Sequence, residues 1–96
     1  MFKVQVLATF KARAGKEQAL KTVLAELAQK AKHDPGCLSF DLLQSLTDDS
    51  VFMFIELWDS IKQHDEHMQM PYVPAFRARR EPLMEGEATI SRWKVL

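Results

Sequence analysis

The sequence predicts an α+β domain of the ferredoxin-like, split βαβ class, with helices covering one face of a four-stranded antiparallel sheet. The first observation is the order of the hydrophobic patterns, which runs strand, helix, strand, strand, helix, strand. The second is residues 51–58, whose large apolar side chains occupy both faces, as is typical of a covered central strand. The third is the length, because 96 residues are enough for one core. We therefore expect a single domain, 1–96.

The first third of the chain predicts a strand followed by an amphipathic helix. Residues 2–12 alternate between apolar and mixed faces, the period of a strand with one buried side. Residues 16–33 repeat apolar side chains three and four positions apart, as a helix with one buried stripe does. The turn Asp34-Pro35-Gly36 ends this helix, because a residue before proline avoids helical torsions and glycine permits the reversal.

The middle of the chain predicts a hairpin. Residues 37–44 form a second strand, with Leu38, Phe40 and Leu42 on the face that should be covered. A short polar turn joins this strand to residues 51–58, so the two strands should pair as antiparallel neighbours.

The last third predicts a helix, a loop and a final strand. Asp59 and Ser60 are good N-cap residues for a helix at about 60–69. The prolines at 71 and 74 then predict a loop that carries Tyr72, with another helical turn or two over 75–81. Residues 87–95 alternate again and predict the fourth strand.

The two apolar faces of residues 51–58 also predict an assembly. Two helices can cover only one face of the sheet, which leaves the other face in water. A second copy stacked sheet to sheet would cover it, so we expect a homodimer.

Composition excludes several classes of partner. The 13 basic and 13 acidic residues cancel, which gives no global field for nucleic acid. No apolar run approaches the roughly 18 residues that cross a bilayer, and the N-terminus lacks a signal-peptide pattern. The single Cys37 cannot form an intramolecular disulfide, which suits a reducing compartment. We expect a cytoplasmic protein that binds neither nucleic acid nor membrane.

The sequence carries no cofactor signature. It has no glycine-rich nucleotide loop and no haem-attachment motif. His64 and His67 have the spacing of two metal ligands on a helix, but two ligands do not close a site. We therefore expect neither a cofactor nor a metal.

Residues 51–76 contain most of the candidate site residues. His67 could abstract a proton as a general base, although a histidine near a helix end is more often a surface residue. Tyr72 could donate a hydrogen bond to a substrate oxygen or simply pack over the pocket. Trp58 could stack on a flat aromatic ligand or belong to the core.

The remaining candidates have a structural alternative as well. His64 is expected to pack against the sheet near the substrate. Glu56 is the only charge in its strand, so it is expected to pair with a basic residue across the sheet or the dimer, or else to act as a base. Arg77 could reach an anionic substrate or remain solvated. Three aromatic residues are core residues first and pocket walls second: Phe40, Phe54 and Phe76.

Three segments together resemble the antibiotic biosynthesis monooxygenase (ABM) family of small proteins that form a dimeric α/β barrel. Residues 34–45 resemble the family's Pro-Gly-Cys strand, residues 51–58 its strand ending in Glu-x-Trp, and residues 67–76 its His followed by an aromatic beside proline. Their order and spacing make the resemblance cover nearly the whole chain.

The resemblance implies a cofactor-independent monooxygenase, an oxidoreductase acting on a small aromatic quinol- or polyketide-like molecule. His67 and Tyr72 would then be catalytic. Two alternatives stay open: a non-catalytic dimer that binds a small molecule, and an isomerase of a small metabolite. The haem-degrading branch of the family relies on an asparagine, which this chain lacks.

Overall fold

Four antiparallel strands form one sheet in this computed structural model, which describes residues 1–96. The spatial order is β2-β3-β1-β4, so β3 is central as predicted, and the sheet remains open at β2 and β4. The ferredoxin-like α+β class is thereby confirmed. The strands are β1 (Val4–Lys11), β2 (Cys37–Gln44), β3 (Val51–Trp58) and β4 (Thr89–Lys94). The helices are α1 (Glu17–Ala31), α2 (Ile61–Met68) and α3 (Tyr72–Arg80), with a 3-10 turn at Glu81–Leu83. No helix is long and apolar enough to cross a membrane.

The inner face of the sheet, which meets the helices, carries the core. On β3 this face is formed by every second residue: Phe52, Phe54, Glu56 and Trp58 are all buried. The same alternation buries Val4, Val6, Ala8 and Phe10 on β1, and α1 contributes Leu20, Leu24, Ala28 and Ala31. Each large apolar side chain removed from water stabilises the fold by about 1.5–3 kcal/mol. The inner face therefore holds the helices in place above the sheet.

The outer face of the sheet is only partly covered in a single chain. Val51, Met53, Ile55 and Leu57 alternate with the buried residues of β3 and are half-buried. Leu43 on the neighbouring strand and Trp93 on β4 are more exposed still. Coverage of β3 on both sides is thus not achieved within one chain, and the expected homodimer stays a prediction.

A bulge in β2 changes one predicted face. The pairing with β3 shifts register between Cys37 and Ser39, so Leu38 leaves the alternation. Phe40 is buried as expected and Leu42 is half-buried, whereas half of Leu38 is exposed. The prediction that all three residues share a covered face was therefore wrong for Leu38.

The segment after α2 is helical rather than the predicted loop. Pro71 is the N-cap of α3, Tyr72 is its first residue and Pro74 lies within its first turn. The first N–H groups of a helix have no partner inside the helix, so a proline there removes no hydrogen bond. The two prolines thus begin a helix, and they place the Tyr72 side chain at a defined position.

The turn at Gly36, which follows α1 in the chain, packs against the beginning of α2. The Asp59 amide donates to the Gly36 carbonyl at 2.8 Å, and the Gln63 amide donates to the Ser60 hydroxyl as an N-cap. Gly36 has φ +84°, and a Cβ there would lie 2.2 Å from Gln63 Oε1. Only glycine fits this close approach. The contact fixes where Asp34, two residues earlier, meets α2.

Candidate active site

A narrow cavity lies between the inner face of the sheet and helices α2 and α3. Its volume is about 50 Å³. Most of its walls are apolar, and they come from all four strands as well as from the helices; they include Phe10, Phe40, Phe54, Met68, Val73 and Ile90. Such walls exclude water from whatever enters and strengthen the electrostatic interactions inside.

Four polar side chains line the same cavity: Glu56, His67, Arg77 and Arg80. Glu56 and His67 are 4% and 5% exposed, so both belong to the buried part of the site. Arg77 and Arg80 also line a wider cleft of about 610 Å³, which marks them as the boundary between cavity and cleft. The site therefore has a dry end with an acid and an imidazole, and a wet end with two guanidinium groups.

The orientation of His67 is set by Asp34. Its Nδ1 atom donates to Asp34 Oδ2 at 2.7 Å, and the Asp34 side chain is only 10% exposed. A carboxylate accepts the proton at Nδ1, so in the neutral imidazole the other nitrogen, Nε2, carries the lone pair. Nε2 has no hydrogen-bond partner within the chain. His67 is thus held as a base whose free nitrogen is available to a molecule in the cavity that it lines.

Tyr72 completes this group from the side opposite the cavity. Its hydroxyl donates to the same Asp34 oxygen and lies 3.2 Å from His67 Nδ1. Burial, followed by the hydrogen bond and the negative charge of Asp34, raises the pKa of Tyr72, so its hydroxyl remains a donor. The Tyr72 side chain holds Asp34 in place; it does not itself line the cavity.

Glu56 is the buried carboxyl of the cavity. Trp58 Nε1 donates to Glu56 Oε1 at 3.0 Å, but no lysine or arginine lies within ion-pair distance. Burial raises the pKa of Glu56 from 4.5 to about 7, and the Trp58 hydrogen bond opposes this rise. No lysine or arginine of the same chain is the expected basic partner, although Arg77 and Arg80 line the same cavity, and a partner across the dimer stays a prediction. Glu56 can act as either a proton donor or a proton acceptor near neutral pH.

His64 lies behind Glu56 rather than in the cavity. It is 3% exposed, and its Nε2 atom lies 3.9 Å from Glu56 Oε1. Its Nδ1 atom has no hydrogen-bond partner. Burial, assisted by the nearby His67 and Arg92, lowers the pKa of His64 from 6.5 to about 4. Near neutral pH it is an uncharged imidazole packed against the sheet, as the sequence predicted.

The two histidines do not converge on a common point. His67 bonds to Asp34, whereas His64 faces Glu56, and their ring centroids are 6.0 Å apart. Each imidazole is thus engaged with a different carboxyl group.

The structure brings together five of the nine residues that the sequence nominated. The cavity is lined by Phe40, Phe54, Glu56, His67 and Arg77. The others lie outside it: Trp58 is completely buried beside both histidines, His64 lies behind Glu56, and Tyr72 stands behind His67 with Phe76 packed edge-on against it. These outer residues support the site and are not available to a ligand in the cavity.

Two residues of the site were missed. Asp34 was assigned to a helix-ending turn, and nothing in the local sequence indicates that its carboxylate reaches α2. Arg80, in the basic sequence Arg77-Ala78-Arg79-Arg80, was not nominated as a site residue. Its helical spacing of three from Arg77 was a usable signal, because residues at that spacing share one face of a helix.

Comparisons with known proteins agree with this architecture. Residues 3–79 match the family model described as antibiotic biosynthesis monooxygenase. A crystal structure from Caulobacter crescentus, described as a candidate antibiotic biosynthesis monooxygenase, is 30% identical with a TM-score of 0.92 and covers 99% of this chain and 91% of that one. A Pseudomonas aeruginosa crystal structure is 26% identical with a TM-score of 0.90, covering 100% and 96% respectively. An uncharacterised Synechocystis protein is 25% identical over 92 residues, and the chain spans 63% of the length of that curated relative.

Proposed function

The chain belongs to the antibiotic biosynthesis monooxygenase family, and we propose that it is a cofactor-independent monooxygenase acting on a small aromatic, quinol-like molecule. The observation that carries this proposal is the state of His67, whose Nδ1 is engaged by Asp34 and whose Nε2 is free at an apolar cavity. This arrangement suits removal of a proton from a phenol. The Caulobacter relative, described as a candidate monooxygenase, supports the same chemistry.

In the first step, His67 Nε2 removes a phenolic proton. Asp34 accepts the Nδ1–H throughout, so its negative charge stabilises the imidazolium that forms. Tyr72 donates to Asp34 and keeps the carboxylate in this position. In this proposal His67 is the catalytic base, and Asp34 and Tyr72 are positioning residues.

In the second step, the electron-rich phenolate passes an electron to molecular oxygen, and the two radicals combine to form a carbon–oxygen bond. The resulting hydroperoxide breaks its O–O bond. One oxygen atom stays on the ring as the new oxygen substituent and the other leaves as water, while the quinol is oxidised to a hydroxyquinone. The substrate supplies every electron, so the protein contributes only positioning, a base and a hydrogen-bond donor.

Glu56 is the proposed donor. A buried carboxyl with a pKa of about 7 is largely protonated below neutral pH, and in that form it can give a hydrogen bond to an oxyanion. The protonated form also supplies the proton that the departing oxygen needs. Phe40, Phe54 and Phe10 line the dry end, where the reacting edge of the ring would lie, and keep bulk water away.

The test is oxygen uptake by metal-stripped protein with a panel of hydroquinones. His67→Ala should lower the rate by about 10²–10⁴-fold, the typical contribution of a general base. Added imidazole should restore part of that rate, because it can occupy the vacated space. His33→Ala is the matched control: His33 is exposed and should be dispensable.

Asp34→Asn tests the positioning role separately. It should lower kcat, since the carboxylate that stabilises the imidazolium is lost. Absence of uptake with every hydroquinone would contradict the oxygenase proposal. Turnover without oxygen uptake would indicate an isomerase that uses the same base, and binding without turnover a small-molecule carrier.

We also propose that the working form is a homodimer that covers the outer face of β3. The half-buried row Val51, Met53, Ile55 and Leu57 supports this, since a stacked copy would remove it from water.

A further inference from the structure

We infer that the substrate carries one carboxylate group, which Arg77 and Arg80 hold at the mouth of the cavity while the aromatic head lies beside His67 and Glu56. The inference rests on the proposed function, because it takes this cavity as the reaction site. It adds a chemical class to the substrate: an apolar, ionisable ring with a monoanionic arm.

The volumes require a ligand that extends beyond the cavity. A cavity of roughly 150 Å³ is what holds one benzene molecule in a protein core. The cavity here has about 50 Å³, whereas the adjoining cleft has about 610 Å³. A ligand can therefore place only its reacting edge at the dry end, and the rest of the molecule must lie towards the cleft.

The two arginines at this boundary have no carboxylate partner. Arg79, between them on α3, forms an ion pair with Glu26 at 2.7 Å on another side of the helix. Neither Arg77 nor Arg80 forms any ion pair within the chain. Arg80 is half-buried, which lowers its pKa, and the positive charge of Arg77 lowers it further. The negative charge of Glu81 partly opposes this lowering, and Arg77 itself is exposed. Two like charges held near each other are relieved when an anion binds between them.

Arg80 is held in a geometry that leaves donors free. Its guanidinium lies over the Phe10 ring at 5.3 Å, and one terminal nitrogen contacts the Met84 sulfur at 3.2 Å. A guanidinium has five N–H donors in a planar fork, so the others remain available for a carboxylate. The fixed stacking on Phe10 reduces the entropy that such a contact would cost.

The sheet register gives the spacing between the backbone rows that lie beneath the two ends of the site. Glu56 pairs with Val6, and Phe10, beneath Arg80, lies four residues further along β1. At about 3.3 Å per residue, the two rows are about 13 Å apart. This separation suits an aromatic ring with a short acidic side chain, the ring reaching Glu56 and His67 and the acid meeting the guanidinium groups.

The charge of the cleft indicates a monoanion. Arg13, Arg77 and Arg80 face Glu81 and Glu87 around it, which leaves one net positive charge. A carboxylate neutralises that charge, whereas a phosphate dianion would exceed it and meet the two glutamates. Arg13 is already engaged through its Nε, which donates to the Met84 carbonyl at 2.8 Å.

The experiment uses ligands that do not react, so that it is independent of turnover. Binding of naphthylacetate, naphthylacetamide and naphthyl phosphate is measured by calorimetry at low salt, with the full chain. Charge-assisted hydrogen bonds predict that the acid binds about 10-fold or more tightly than the amide. Arg80→Gln and Arg77→Gln should each reduce that preference, whereas Arg79→Gln, which removes the same charge from the same helix, should retain it.

Three results would overturn the inference: equal affinity for acid and amide, equal loss of preference in Arg79→Gln and Arg80→Gln, or tighter binding of the phosphate than of the acid. The second result would mean that the ligand responds to the overall positive charge of α3 rather than to a specific carboxylate site. A variant that fails to bind must also show an unchanged melting temperature, so that loss of folding is recognised. Acid-selective binding without oxygen uptake from any hydroquinone would sustain the carboxylate site and refute only the proposed oxygenase reaction.

Discussion

Replacing Glu56 with glutamine should change how the stability of the protein depends on pH. The carboxyl group is 4% exposed and accepts one hydrogen bond from Trp58. Glutamine has nearly the same shape, and its carbonyl oxygen can accept the same bond. The substitution therefore removes the ionisation of residue 56 and little else.

The sign of this pH dependence follows from whether the folded or the unfolded state binds the proton of Glu56 more tightly. The pKa of Glu56 rises from 4.5 in the unfolded chain to about 7 in the folded one, so between these values the folded state holds more protons. Stability is then fully present at low pH and falls as the pH rises through this window. One pKa unit corresponds to about 1.4 kcal/mol, so the loss amounts to about 3 kcal/mol.

His64 acts in the opposite direction over much of the same range. Its pKa falls from 6.5 to about 4 on folding, so the unfolded chain binds the proton first and stability is lost as the pH falls through that window. The effects of Glu56 and His64 on stability oppose each other in the wild-type protein. This pair should therefore contribute little net dependence of stability on pH. Glu56→Gln removes one of them and should expose the acid sensitivity due to His64.

The assay is urea unfolding followed by tryptophan fluorescence, at equal protein concentration, over the pH range that spans both windows. The free energy of unfolding of Glu56→Gln minus that of the wild type should rise by about 3 kcal/mol between pH 4.5 and 7. Glu66→Gln is the control, because it removes only a surface ion pair with Lys62 that contributes little. Parallel curves for the wild type and Glu56→Gln would refute the claim that burial keeps this carboxyl protonated.

Two further predictions concern the fold and the assembly. Gly36→Ala should destabilise more than Gly15→Ala: both residues have positive φ, at a typical cost of about 1 kcal/mol for alanine, but only the first would bring a Cβ against Gln63, at 2.2 Å. Thermal unfolding compares them, and equal losses would mean that the Gln63 side chain simply moves aside. For the dimer, the melting temperature should rise with protein concentration. Ile55→Asp should give unfolded or aggregated protein while Leu46→Asp, at a fully exposed turn, should not; a stable monomer at micromolar concentration in sedimentation would refute the dimer.

The sequence by itself determined the class of the fold and most of its elements. The local patterns describe which sides of each segment are apolar: one face of residues 4–11, both faces of residues 51–58 and one stripe of residues 17–31. Proline was the ambiguous signal. Pro71 and Pro74 could interrupt a helix or begin one, and the outcome depended on whether their missing N–H groups fell in a first turn.

Part of the candidate site could be predicted as well, because local patterns also show which face of a segment is buried. His67, Arg77, Phe40 and Phe54 belong to segments whose buried or helical faces can be deduced from spacing, and they do line one cavity. For Trp58 the sequence left two alternatives, a stacking residue and a core residue, because strand alternation gives a face and not a depth. Trp58 is completely buried.

Only the tertiary structure decided the partners. Asp34 and His67 are 33 residues apart, and their contact exists because the Gly36 turn packs against the first turn of α2. The environment of Glu56 has both origins. Trp58 lies two residues further along the same face of β3, whereas the packing of α2 brings His64 to this buried carboxyl. A hydrophobic pattern predicts that a side chain will be buried. Which polar groups meet there depends on how whole elements dock, and no local spacing in the chain records that.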